Sequence, residues 1–188
     1  MSKQSITILI IFLSVLSGCS SLPSPNTFLK EDFEKCHIKR VAVLPFCNTT
    51  NSKGAGEIVT RAFTEALFRQ KKIEVALPGN VTKLLMDERI IIRKGIKSSH
   101  IELIGKRLGV DAVIIGRVEE YGEDKEERID KAVAVNARMV STKPCSVVWI
   151  GQNRRKIDDY IVILDHGQIS SMAALARKVI YELIETIP

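Results

Sequence analysis

The sequence predicts one α/β domain. It is a mixed sheet of about five strands with three to four packed helices in a three-layer arrangement, behind a secretory signal and a tether. Three observations lead there. In the first half, short apolar runs that suit buried strands alternate with apolar stripes of helical period. In the second half, strand patterns follow one another with no helical stripe between them, as in an antiparallel meander. The chain then closes with one long amphipathic stripe. With 188 residues, less the first eighteen, the length suits a single domain of ordinary size.

The chain opens with Lys3 as its only early charge, an apolar run over 6–16, and two small residues ahead of Cys19. This is the layout of a secretory signal. The run falls well short of the about twenty residues that a helix needs to cross the hydrocarbon core. Leu16-Ser17-Gly18-Cys19 resembles the lipobox of bacterial lipoproteins. The resemblance implies removal of residues 1–18, a diacylglycerol on the Cys19 sulfur and an acyl chain such as palmitate on the new amino group. Ser20 is not the aspartate that marks inner-membrane retention in enteric lipoproteins, so the same resemblance implies an outer-membrane anchor facing the periplasm.

Residues 19–39 hold two prolines, several serines and no apolar period, which predicts a flexible tether. Fully extended, it would reach about 65–70 Å. The domain proper is expected over 40–188. Residues 40–46 (RVAVLPF) predict a buried strand, with Pro45 near its exit. A polar loop over 47–55 leads to Val59, Ala62, Phe63, Ala66 and Leu67, whose spacing predicts a helix over 56–70. A short strand over 73–77 ends at Pro78-Gly79. Asn80 is the cap candidate for a helix running to about 91, and Ser99 for one that Gly109 closes.

The pattern 111–121 predicts a buried strand that turns polar. The charged segment 122–130 predicts a hairpin loop, and 131–142 and 147–151 predict the next two strands, with the turn at Pro144-Cys145. Residues 152–167 leave two readings open, a further short strand over 160–164 or a loop entering the last helix. Met172, Leu175, Ala176, Val179, Ile180, Leu183 and Ile187 predict that helix over 170–187.

VAVLPFCNTT, GAG opening a helix, LLMDERIIIRKGI, IGKRLGVDAVIIGRVEEY, ARMVST, VVWIG and ALARKVIYELI together resemble bacterial lipoproteins of the curli secretion channel (CsgG) type. The amino-terminal domain of the translocation protein TolB and the outer-membrane activators of peptidoglycan synthase are similar in architecture. The likeness covers roughly residues 40–187, and a shared fold supports several roles. The curli channel carries long hairpins that build a membrane barrel, with strands of about nine to eleven alternating residues. GEDKEERID is no such hairpin, so a self-made pore is not expected, and a monomer or a small homo-oligomer stays open. The tether also sits poorly with an activator that must reach the inner membrane.

Motifs for chemistry are sparse. His37, His100 and His166 lie far apart, with no metal-spaced partner. Asp158, Asp159, Asp165 and His166 form the one acid-rich group near a histidine, but no nucleophile motif accompanies them. Gly54-Ala55-Gly56 precedes Val59 where a dinucleotide fingerprint needs its third glycine, so helix-start geometry explains the pair. Gly105-x-x-x-Gly109 encloses Lys106 and Arg107, which excludes membrane helix pairing. Cys36, Cys47 and Cys145 remain once Cys19 is lipidated, and their spacing predicts no particular bridge. The net charge of +6 is mild, and a secreted chain has no nucleic acid to meet. Arg69, Lys71, Lys72, Arg89, Arg93, Lys94 and Lys97 lie at or after helix ends, where positive charge complements the dipole. Arg154-Arg155-Lys156 lies outside any helix end, a candidate contact for anionic head groups or an acidic partner.

No catalytic residues, metal ligands or cofactor are expected beyond the lipid on Cys19. The reading is a non-enzymatic, lipid-anchored periplasmic assembly or protein-interaction factor for secretion or surface-structure biogenesis, with an envelope protein as partner. The alternative is a binder of a small ligand or envelope polymer through the loops 47–55 and 152–167.

Overall fold

The computed structural model describes residues 22–92, 95–124, 129–160, 169 and 171–188. Among them seven strands join one mixed sheet: β1 (Asn26–Leu29), β2 (Arg40–Val43), β3 (Cys47–Asn48), β4 (Glu74–Val75), β5 (Ala112–Asp124), β6 (Ile129–Thr142) and β7 (Cys145–Lys156). Four α-helices accompany them: α1 (Ala55–Gln70), α2 (Pro78–Asp87), α3 (Ser98–Leu108) and α4 (Met172–Ile184). The expected α/β class, with helices on both faces of a mixed sheet, is what the chain forms.

The sheet order is β1-β7-β6-β5-β2-β4, with β3 also pairing with β5. β2 runs parallel to both β4 and β5, so the chain must cross over between them. α1 makes the crossover to β4, and α2 with α3 makes the return to β5 on the opposite face. Right-handed crossovers in opposite directions place helices on opposite faces. From β5 onward the pairing is antiparallel, through β6 and β7 to β1.

Each face has its own core. α1 and α4 cover Val41, Val43, Ile114, Val133, Val135, Met139 and Trp149, adding Phe63, Leu67, Val179, Ile180 and Leu183. α2 and α3 cover Ala42, Leu44, Val113, Ile115 and Val140. The alternation of Val41, Ala42, Val43 and Leu44 between the two cores is the two-residue period of a strand buried on both faces. Asp111 sits where the parallel strands start, its Oδ2 accepting from the Lys39 and Arg40 amides at 2.9 Å each.

The structure departs from the sequence expectations at several places. Residues 26–36 are not tether: β1 pairs with β7 over four positions, and a 3-10 turn spans Phe33–Cys36. Every residue of β1 is exposed, so no alternation marked it; its backbone pairing holds it. α2 begins two residues before the expected cap, with Pro78 in its first turn, where the missing N–H costs nothing. It ends at Asp87, and Arg89 then takes a left-handed φ of 50°. α3 starts after Lys97 instead of Ser99. β7 continues to Lys156, five residues beyond the expected end. A 3-10 turn follows over Ile157–Tyr160; the possible strand over 160–164 otherwise falls outside the described residues.

Gly116 of β5 lies directly under the Phe46 ring, and any Cβ there would overlap it. Phe46 in turn packs on Phe63 with ring centroids 5.2 Å apart. Gly116→Ala is expected to lower stability by about 1–3 kcal/mol, the usual scale for overpacking, with less loss in a Phe46→Leu background, as urea unfolding of the four proteins would measure.

Candidate interaction surface

The helices do not cover the sheet evenly. α2 and α3 lie over β2, β4 and the near ends of β5 and β6. Farther out, no described helix lies over that face of β5, β6, β7 and β1. The register arranges its side chains in rows. Arg117 stands beside Asn136, Asn136 beside Gln152, and Gln152 beside Asn26. The next row runs Ile115, Arg138, Ile150 and Phe28. Arg117, Arg138 and Gln152 are exposed, as are the large apolar side chains Phe28 (53%) and Ile150 (36%). Four strands about 4.8 Å apart make a platform about 14 Å wide.

A groove opens onto this platform. Its larger part, about 700 Å³, lies between Pro45-Phe46-Cys47-Asn48 and the end of α2 with Leu85, Ile90 and Ile92. A smaller part of about 250 Å³ shares Cys47 and Ile92 and reaches Gly116, Arg117, Asn136 and Arg138. The loop after β3 is held by its own side chains: Asn48 Oδ1 accepts from the Thr50 amide and hydroxyl at 3.0 and 2.8 Å, and Asn48 Nδ2 donates to the Ser52 carbonyl at 2.7 Å. Gly56 is required because a Cβ would stand 2.5 Å from the Phe46 carbonyl oxygen. Close packing therefore accounts for that helix-start glycine. Gly105 likewise lets α3 meet Thr142, 2.7 Å from where its Cβ would stand.

The triplet Arg154-Arg155-Lys156 does not form one basic surface. It lies on β7, whose alternation sends neighbours to opposite faces. Arg154 stays on the platform side, pairing with Glu120 through Nε at 2.9 and 3.0 Å and Nη2 at 2.9 Å. Arg155 points into the α1–α4 side and is only 5% exposed, which withdraws it from any head-group contact. The amide of Lys156 donates to Asp159 Oδ2 at 2.8 Å, tying the 3-10 turn to the strand end. Leu16, Ser17, Gly18 and Cys19 lie outside the described residues, as do Asp165 and His166. Among the described residues no group of three His, Cys, Asp or Glu side chains is placed to hold a metal ion.

Arg155 organises a cluster that the sequence did not reveal. Its Nε and Nη2 meet Glu182 Oε2 of α4 at 2.8 Å each. Glu182 Oε2 also accepts from Asn153 Nδ2 at 3.0 Å, and its Oε1 from the Tyr160 hydroxyl at 2.7 Å. Arg155 Nη2 further donates to the Pro23 carbonyl at 2.6 Å. Burial, and then the hydrogen bond to the Glu182 carboxylate, hold the Tyr160 phenol well above its ordinary value. A run such as Gln152-Asn153-Arg154-Arg155-Lys156 reads as polar loop unless partners on the last helix are known. The available signal was the spacing of Asn153 and Arg155, two residues apart on one strand face.

No family model matches the chain, and no curated protein matches it. Solved structures share its fold. A PelC L103M dodecamer from Paraburkholderia phytofirmans is 14% identical with a TM-score of 0.54, the match covering 86% of this chain and 96% of that chain. Lipoprotein GNA1162 from Neisseria meningitidis is 16% identical with a TM-score of 0.54, covering 79% of this chain and 99% of that chain. At these identities the likeness establishes the fold.

Removing one partner of a buried ion pair strands the other, at a cost of about 3–5 kcal/mol. Glu182→Ala is expected to lose that much in urea unfolding, whereas the double variant Arg155→Met, Glu182→Leu recovers most of it.

Proposed function

We propose that this chain is a non-enzymatic, lipid-anchored assembly factor of the bacterial envelope. Cys19 carries the lipid, the outer membrane holds it, and the domain faces the periplasm and binds protein through the open platform of β5, β6, β7 and β1. The observation that carries the reading is that platform, a four-stranded face on which exposed Phe28 and Ile150 stand among Arg117, Arg138 and Arg154. Apolar anchors ringed by polar and charged groups suit a protein interface. The lipobox-like Leu16-Ser17-Gly18-Cys19 and Ser20 supply the anchor and the choice of membrane. Among the described residues no helix is long and apolar enough to cross a membrane.

The fold neighbours support the same direction: GNA1162 is a lipoprotein, and PelC assembles as a dodecamer. The resemblance to the curli secretion channel type agrees with secretion or surface-structure biogenesis as the setting. Taken together, these favour another copy of this chain or an envelope protein as the occupant of the platform. The groove of about 700 Å³ beside it favours, as a second reading, a small ligand or a segment of envelope polymer.

Two variants test the proposal together in detergent-solubilised envelopes. Cys19→Ala is expected to abolish incorporation of labelled lipid and release the protein from the outer-membrane fraction. Ile150→Asp with Arg138→Glu is expected to keep the anchor and lose a stoichiometric protein partner or the homo-oligomer. Retention of every protein contact by the platform variant, or copurification of glycan alone, contradicts the assembly reading.

A further inference from the structure

The leash between lipid and domain is far shorter than the sequence suggests, and its short length orients the molecule. β1 is hydrogen-bonded along β7, the Lys30 amide continues the ladder to the Val148 carbonyl at 3.0 Å, and the buried Arg155 holds the Pro23 carbonyl at 2.6 Å. Four peptide steps therefore separate Cys19 from a point fixed on the domain. Even fully extended they span about 14 Å. Pro23 lies beside the exit of β7, because the pairing of Asn26 with Gln152 runs on toward Arg155.

We propose that, with Cys19 lipidated, the end of the domain formed by residues 22–25, the exit of β7 and the turn Ile157–Tyr160 rests on the membrane surface. The turn at Lys143-Pro144, where β7 begins, then points away from it. The occupant of this end is the lipid surface itself, argued from the length of chain that remains outside the fold and the place where it leaves. Charge does not dictate the pose: Lys131, Lys156 and Lys178 share this end with Asp158 and Asp159, and the register puts the β5–β6 ladder end, with Asp124 and Asp130 in its strands, at the same end. The eleven steps of β7 from Cys145 to Lys156, at about 3.3 Å each, put the two ends roughly 36 Å apart, well beyond the leash. The strands then stand away from the membrane and the open platform faces sideways, toward molecules anchored in the same leaflet.

This inference rests on the lipid anchor proposed above, and its test separates the two. Full-length protein purified from membranes would be reconstituted into phosphatidylethanolamine–phosphatidylglycerol vesicles containing a lipid with a nitroxide on its head group. A fluorophore would be attached through p-azidophenylalanine placed at Asp158 or at Lys143, both exposed. The expected result is a strong loss of fluorescence at position 158 and none at 143, with the difference abolished by a long Gly-Ser insertion between Ser21 and Leu22. Equal loss at both positions in protein whose N-terminal peptide carries the lipid mass overturns the orientation and leaves the anchor standing. An N-terminal peptide without lipid overturns both.

Discussion

The Arg155–Glu182 ion pair is the constraint on which the rest of the account depends. A guanidinium withdrawn from water must be paired and hydrogen-bonded to be tolerated. Here two partners come from distant parts of the chain, Glu182 on α4 and the Pro23 carbonyl ahead of β1, and a third is the neighbouring Arg154 carbonyl on β7 itself. Satisfying one side chain therefore joins the first described residues, the last strand and the last helix. A hydrophobic pair of similar volume would pack as stably, but it could not hold a carbonyl. The pair contributes placement more than stability.

That placement matters because the domain is two half-structures with different needs. The parallel half, β4, β2 and the near part of β5, is buried on both faces, since its crossovers put helices there. The antiparallel half needs no crossovers: α4 covers one face of β6 and β7, and beyond the near ends under α3 no described helix covers the other. The platform follows directly from this change of connectivity at β5. β1 extends the platform and ends the sheet with a short strand preceded by Pro23 and Pro25, residues that discourage further strand addition. Under the proposed assembly role, a partner would therefore meet the face of the sheet and not its edge.

How much of this was legible depended on whether the decisive contact was local. β2, β5 and β6 announce themselves by Val-rich runs whose alternation fills two cores, and α1 and α4 by stripes of helical period. The end of α3 was legible because Gly109 takes a left-handed φ of 62°, which glycine tolerates best. The starts of α2 and α3 were misplaced because no side chain caps them, so Asn80 and Ser99 offered caps that the chain does not use. β1 and the outer part of β7 were missed for a different reason. Their polar and exposed residues carry no burial pattern of their own, and what orders them is pairing with each other and with α4. The candidate basic triplet dissolved for the same reason, since knowing that β7 continues would have turned Arg155 inward at once.

The consequence for function reaches back to the proposed lipid anchor. Read from composition, residues 19–39 form a flexible tether whose fully extended reach is about 65–70 Å; in the fold, β1 (Asn26–Leu29) joins the sheet and Phe33, Cys36 and Ile38 pack against the core. The most direct measurement is amide hydrogen exchange over residues 26–30 in the full-length protein. Slow exchange at the Lys30 amide and at the β1 amides directed toward β7, lost when Arg155 is replaced by Ala while the exchange of β5 and β6 stays slow, is the predicted result. Exchange of these amides at the rate of an unstructured chain in the unaltered protein would contradict it and restore the flexible tether over 19–39.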